Sequence, residues 1–148
     1  MGNKTIKQQI NKGKDYYFNK WRGSEKICPA FKEKVYITEI GWKHIAKHPR
    51  RTLVDKLIRL RKLPLARKVL ETSNTFQSLR KQGRYWQWGI QAVSDHTRVK
   101  IVVSSPKKTG SKKVLYSVMF KNISKAEQAK IEKGNKKVIK EFRKKKKI

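Results

Sequence analysis

The alternation of apolar and polar positions divides the chain into a helical half followed by a strand half. Residues 34–37, Lys-Val-Tyr-Ile, predict a short strand. Thr38 then stands as the cap of a helix over 39–48, closed by Pro49. From Arg50 to Lys62 the residues Leu53, Val54, Leu57, Ile58 and Leu60 recur at helical spacing. They predict a one-sided core helix ended by Pro64. Beyond it the period falls to two. A strand is expected over 66–73, a loop or turn over 74–82, and an aromatic-rich strand over 84–93. Ser94-Asp95-His96 predicts a hairpin turn into a partner strand over 97–104, and a basic loop (106–110) leads to a last strand over 113–121. Ser124 and Glu127 have capping-box spacing and open a helix to about residue 143, weakened at Gly134. The expected fold is α+β: two N-terminal helices packed on a four-stranded antiparallel sheet, with a C-terminal basic helix. Residues 1–33 read as a basic, partly helical arm, 34–121 as the folded domain and 122–148 as a basic helix and tail.

The same alternation sorts the strands into two faces. Trp86, Trp88, Ile90 and Ala92 fall on the core side with Val99, Ile101 and Val103. Val114, Tyr116, Val118 and Phe120 join them from the last strand. The opposite face carries Tyr85, Gln87, Gln91, Arg98, Lys100, Lys113 and Ser117. An antiparallel sheet ordinarily has one polar face. This one holds no acid, where mixed charges would serve solubility better. It reads as a phosphate-binding surface.

Composition sharpens that reading. The 148 residues include 40 Lys or Arg against 10 Asp or Glu, a formal charge of +30. Such self-repulsion calls for a polyanionic or acidic partner. Nucleic acid is the first choice, an acidic protein the second, and an anionic membrane the third, since no long helix has one clean apolar face. No apolar run approaches the roughly 18 residues of a membrane span. No signal-peptide core follows Met1, and Ile6 stands where N-myristoylation would want Ser or Thr. A single cysteine, Cys28, fits a reducing compartment, so a cytoplasmic protein is expected. The ten acids are scattered with no Asp-x-Asp pair, which argues against a two-metal nuclease. Phosphodiester cleavage by this chain is therefore expected to need neither metal nor cofactor.

Of three histidines, His44 and His48 stand i, i+4 beside Lys43 and Lys47, and His96 lies in the predicted turn. Three readings compete. A zinc pair would need a third ligand, and Ile45 replaces the glutamate usual beside the first histidine. Two plain polar or core-satisfied rings are the bland reading. The third is general acid–base catalysis of RNA cleavage. Imidazole titrates near neutral pH and can take a proton from the ribose 2′-hydroxyl or give one to the 5′-oxygen. Neighbouring cations would stabilise the extra charge on phosphorus and lower a histidine pKa toward the neutral base.

Val35-Tyr36-Ile37-Thr38 followed by Trp42-Lys43-His44-Ile45, a Leu-rich helix up to Pro64, and paired strands ending in Leu115-Tyr116-Ser117-Val118 resemble the BECR nuclease superfamily. That group gathers barnase, EndoU, colicin D and RelE-like toxins. The likeness covers about residues 34–121 and is nearest to phage-associated and colicin D-like members. It implies His44 as catalytic histidine, Lys43 or Lys47 as a phosphate-stabilising cation and Ser117 as the strand hydroxyl. Trp86 or Trp88 would stand for the strand aromatic of some members, and His48 matches no family position. Tyr85 and Arg98 are further choices, because RelE-like members use Lys, Arg and Tyr.

Together these readings give His44, His48, Ser117 and Tyr85 as candidate catalytic residues. Lys43, Lys47, Arg84, Arg98, Lys100 and Lys113 are the candidate substrate contacts. The expected function is a metal-independent endoribonuclease, a toxin acting on tRNA or another structured RNA and leaving a 2′,3′-cyclic phosphate. An acidic immunity protein or antitoxin would be its partner. The alternative is a non-catalytic RNA- or DNA-binding protein using the same basic face.

Overall fold

In the computed structural model, residues 5–94 and 96–133 are described. The fold is α+β, and among the described residues six strands form one mixed sheet in the order β1-β2-β6-β5-β4-β3. The strands are β1 (Ile27–Cys28), β2 (Glu33–Tyr36), β3 (Ser78–Gln82), β4 (Tyr85–Ser94), β5 (Thr97–Ser105) and β6 (Lys113–Asn122). The expected sheet was wholly antiparallel. The pairing of β2 with β6 is parallel, and β1 and β3 extend the sheet at its two edges.

The helices are α1 (Ile6–Asp15), α2 (Glu39–Ala46), α3 (Leu53–Arg61) and α4 (Leu63–Thr72). A π-helical turn, Tyr16–Trp21, continues α1. Within the segment expected to form a basic, partly helical arm, residues 6–21 are helical and packed into the core, with Tyr17 and Trp21 at most 1% exposed. A complete capping box between Thr5 and Gln8 starts α1. Gly13 allows its close approach to α3, since a Cβ there would meet Leu60 Cβ at 2.9 Å.

The strand expected over 66–73 is instead α4. Pro64 sits in its first turn, where a missing N–H and fixed φ favour a start rather than a stop. Leu63, Ala66, Val69 and Leu70 make its buried stripe at helical spacing. Residues expected as loop over 74–82 contain β3, which pairs with β4 from Ser78↔Gly89 to Gln82↔Tyr85. The hairpin forms as expected between β4 and β5. Ser94 pairs with Thr97, and His96 turns the chain at φ 61°. Residues 125–133 are helical, and the Glu127 N–H donates to Ser124 Oγ at 3.2 Å. The expected extension of that helix to residue 143, with Gly134 and the basic run 143–147, lies outside the described residues.

One core joins the helices to the sheet, with Val35, Trp88, Ile90, Val99, Ile101, Val103, Leu115 and Val118 at its centre. Parity fails in β6. Val103 pairs with Leu115 but Val102 pairs with Ser117, so Tyr116 is an extra residue in a β-bulge. Upstream of it the expected faces are exchanged. Leu115 is fully buried, and Lys113, expected on the basic face, is 7% exposed on the core side. Its ammonium sits 4.7 Å from the Trp88 ring centre and 3.1 Å from Glu33 Oε1.

Candidate active site

The close seating of α2 on β6 begins at Gly41. A Cβ there would lie 2.6 Å from the Leu115 carbonyl oxygen, so only glycine allows the helix this near the strand. Thr38 holds the N-cap position with extended φ −132°, ψ 170°, but its side chain makes no capping bond. Its carbonyl instead accepts a 2.5 Å hydrogen bond from Tyr17 Oη. Burial pushes the Tyr17 phenol pKa up, so it stays a neutral donor. Trp42 and Ile45 are buried on one side of α2. Ile40 and His44 follow one another at i, i+4 on another.

That second side meets the bulge. Tyr116 was expected in the core. The bulge gives Tyr116 and Ser117 one partner residue, Val102, and the His44 and Tyr116 ring centres lie 3.8 Å apart. His48, past the end of α2, has its ring centre 5.9 Å from that of His44. The Arg50 backbone N–H approaches His48 Nδ1 at 3.3 Å.

The cation beside this pair comes from a residue that sequence reasoning passed over. Arg51 immediately precedes Thr52, whose hydroxyl caps α3 by accepting from Asp55 N–H at 3.1 Å. Arg51 Nη2 donates to Ser117 Oγ at 3.4 Å, across 66 residues of chain. Its Nε lies 3.8 Å from Asp55 Oδ2, which also accepts from Arg59 Nε at 2.9 Å. Arg59 in turn donates to the Val118 carbonyl, tying the cluster to β6. Arg51 Nη1 is buried and finds no hydrogen-bond partner among the described residues. The signal available in the sequence was the Thr52–Asp55 cap, which fixes the backbone next to Arg51 but not the reach of its side chain.

Electrostatics follow from this crowding. Burial lowers the His44 pKa below its ordinary 6.5, and the nearby His48 and Arg51 charges lower it further. Burial and the Arg59 charge also lower the Arg51 pKa, while Asp55 and Tyr116 oppose them. An imidazole held toward its neutral form thus stands near a guanidinium whose Nη1 group has no partner among the described residues.

The other expected residues are spread more widely. Tyr85 is 51% exposed and lines a cleft of about 560 Å³ with Tyr116, Ser104 and Ile40. Lys100 pairs with Met119, two residues from Ser117, and so lies diagonally across from the bulge. Arg98 pairs with Lys121 and stands four residues from Val102, about 13 Å at 3.3 Å per residue. Lys43 and Lys47 line a separate groove of about 180 Å³ with Lys14, Phe18 and Glu39. Arg84 is exposed in the turn after Gly83, and His96 is exposed at the far hairpin. Lys113 is turned into the core and is corrected from substrate contact to structural cation. Among the described residues no three His, Cys, Asp or Glu side chains gather to hold a metal, and no helix is long and apolar enough to cross a membrane.

No family model, curated protein or solved structure matches this chain.

Proposed function

We propose that the chain is a metal-independent endoribonuclease whose site is built from His44, His48, Arg51, Tyr116 and Ser117. The observation that carries the reading is the contact of the His44 ring with Tyr116, ring centres 3.8 Å apart and planes tilted by 39°, beside the Arg51–Ser117 pair. His44, neutral at pH 7, takes the proton from a ribose 2′-hydroxyl as O2′ attacks phosphorus. The P–O5′ bond breaks as P–O2′ forms, and O5′ receives its proton from the acid, assigned to His48. The products are a 2′,3′-cyclic phosphate and a 5′-hydroxyl end. Arg51, held beside Ser117, supplies the positive charge that stabilises the phosphorane oxygens, where a preorganised group acts more strongly than in water. Lys100 and Arg98 carry the flanking phosphates along β5. Tyr85 is reassigned from proton transfer to substrate contact.

tRNA or another structured RNA is the proposed substrate, and the charge of +30 calls for an acidic inhibitor such as an immunity protein or antitoxin. The test is incubation of a tRNA pool with purified protein in EDTA. Cleavage to cyclic-phosphate ends, abolished in His44→Ala while RNA binding is retained, is the expected result. Intact tRNA with tight, salt-sensitive binding would leave a non-catalytic RNA-binding protein instead.

A further inference from the structure

Two of the large apolar side chains left exposed on this protein meet in one place. Tyr85 is 51% exposed and Ile40 50%, and both line the 560 Å³ cleft beside Tyr116. Tyr85 is the aromatic residue left in the exposed class of large apolar side chains among the described residues. Tyr17, Trp21, Trp42 and Trp88 are all buried. The cleft volume is within the roughly 300–1,000 Å³ of small-ligand pockets.

Its polar groups are few and convergent. Ser105 Oγ and Ser111 Oγ lie 2.5 Å apart, and Ser111 Oγ also accepts from the Lys107 backbone N–H at 3.1 Å. Serine hydroxyls can donate or accept, which suits the mixed edge of a base. Lys112 stands on the rim with its ammonium 5.1 Å from the Tyr36 ring centre. A lining of apolar and aromatic side chains together with serine hydroxyls and a lysine matches the chemistry of a nucleotide: a flat π-face, polar ring edges and an anionic phosphate.

Position adds the link to the chemistry. Tyr116 belongs both to the cleft and to the contact with His44. Ile40 lies one turn before His44 on α2. We infer that the cleft is a nucleobase subsite, in which one unstacked base of single-stranded RNA lies against Tyr85 and Tyr116 next to the scissile phosphate. The inference rests on the ribonuclease reading for the identity of the polymer. It makes the substrate class narrower, because a base inside a duplex presents no free π-face. A loop or bulge of a structured RNA is then the part that is cut, and stacking selects unpaired nucleotides with little regard to sequence.

The test uses the full chain and a short single-stranded 2′-deoxy oligonucleotide carrying one 2-aminopurine, which binds without any 2′-hydroxyl to react. Binding is expected to quench the 2-aminopurine fluorescence. Tyr85→Ala should remove the quench and weaken binding five-fold or more, since stacking on one aromatic ring contributes about 1–3 kcal/mol per base. Tyr85→Phe, which keeps the ring and removes the hydroxyl, should retain the quench. Unchanged affinity and quench in Tyr85→Ala would overturn the subsite, as would equal affinity for the same oligonucleotide annealed to its complement. The two readings fail separately. Tyr85-dependent quenching together with intact tRNA keeps the base subsite and removes the ribonuclease, whereas tRNA cleavage without Tyr85 dependence does the reverse.

Discussion

Gly41 lies so close to β6 that a Cβ on it would come within 2.6 Å of the Leu115 carbonyl oxygen. Tyr17 Oη crowds the same point, so neither a flexible side chain nor solvent is there to yield. Gly41→Ala must therefore push α2 away from the strand that carries Tyr116 and Ser117. The expected cost is about 1–3 kcal/mol, the range for overpacking a filled interior. A thermal melt should show a Tm lower by several degrees. RNA cleavage should fall more than the folded fraction does, because His44 moves with the helix. A Tm equal to that of the unaltered chain would show that α2 tolerates the displacement.

His44 is held toward its neutral form chiefly by burial, with the His48 and Arg51 charges adding to it. The acid limb of kcat/KM should therefore have its midpoint below 6.5, activity rising as pH rises through the lowered value. His48→Gln removes one of the two charges and should move the His44 midpoint upward, part of the way to 6.5. NMR titration of the imidazole carbon-bound protons checks this directly. Stability has the same origin. The unfolded chain protonates His44 first, so stability is lost as pH falls through 6.5 toward the folded pKa and levels off below it. A His44 midpoint at or above 6.5 would contradict the burial seen here.

Arg51 reaches Ser117 with one terminal nitrogen and Asp55 with its Nε. One of its terminal nitrogens is buried with no partner, and Arg59 opposes its charge. Arg51→Met keeps the packing of the stem and removes the charge. Cleavage is expected to fall about 10²–10³-fold, the effect of losing one preorganised transition-state donor. Tm should stay level or rise, as when a strained functional group is removed. Arg51→Lys should recover little, because an ammonium lacks the planar fork. A large drop in Tm for Arg51→Met would assign the residue to the fold instead.

The sheet and the hairpin were legible because β4 and β5 alternate without interruption and Ser94-Asp95-His96 is a turn sequence. The bulge at Tyr116 was not. A run with Val114, Tyr116, Val118 and Phe120 reads as unbroken alternation, and only the register against Val102 and Val103 shows the extra residue. That one residue sent Lys113 to the core and Tyr116 to His44. Pro64 misled for a different reason, since proline both ends one helix and begins another. His44 and Ser117 were singled out from chemistry and resemblance, and both stand near the bulge. Arg51 was not, because its contact with Ser117 depends on how α3 is set against β6, which no local pattern encodes.

Lys113 and Lys100 should separate structural from ligand-facing charge. Lys113 is enclosed by Trp88, Phe31 and Glu33, and its ammonium pairs with a carboxylate that is itself 44% exposed. Lys113→Ala should lower stability by about 1–3 kcal/mol through lost packing and a lost charged hydrogen bond. Lys100 pairs with uncharged Gln91 and Met119 on the open side of the sheet, and Lys100→Ala should leave Tm almost unchanged. RNA binding should respond in the opposite order. The slope of log K against log salt is expected to flatten by about one unit for Lys100→Ala and to stay constant for Lys113→Ala. Filter binding of tRNA across a salt series, on the His44→Ala background to prevent turnover, reads both slopes. Equal flattening by the two variants would mean that Lys113 leaves the core to reach phosphate, and the aromatic enclosure around it would not describe the RNA-bound protein.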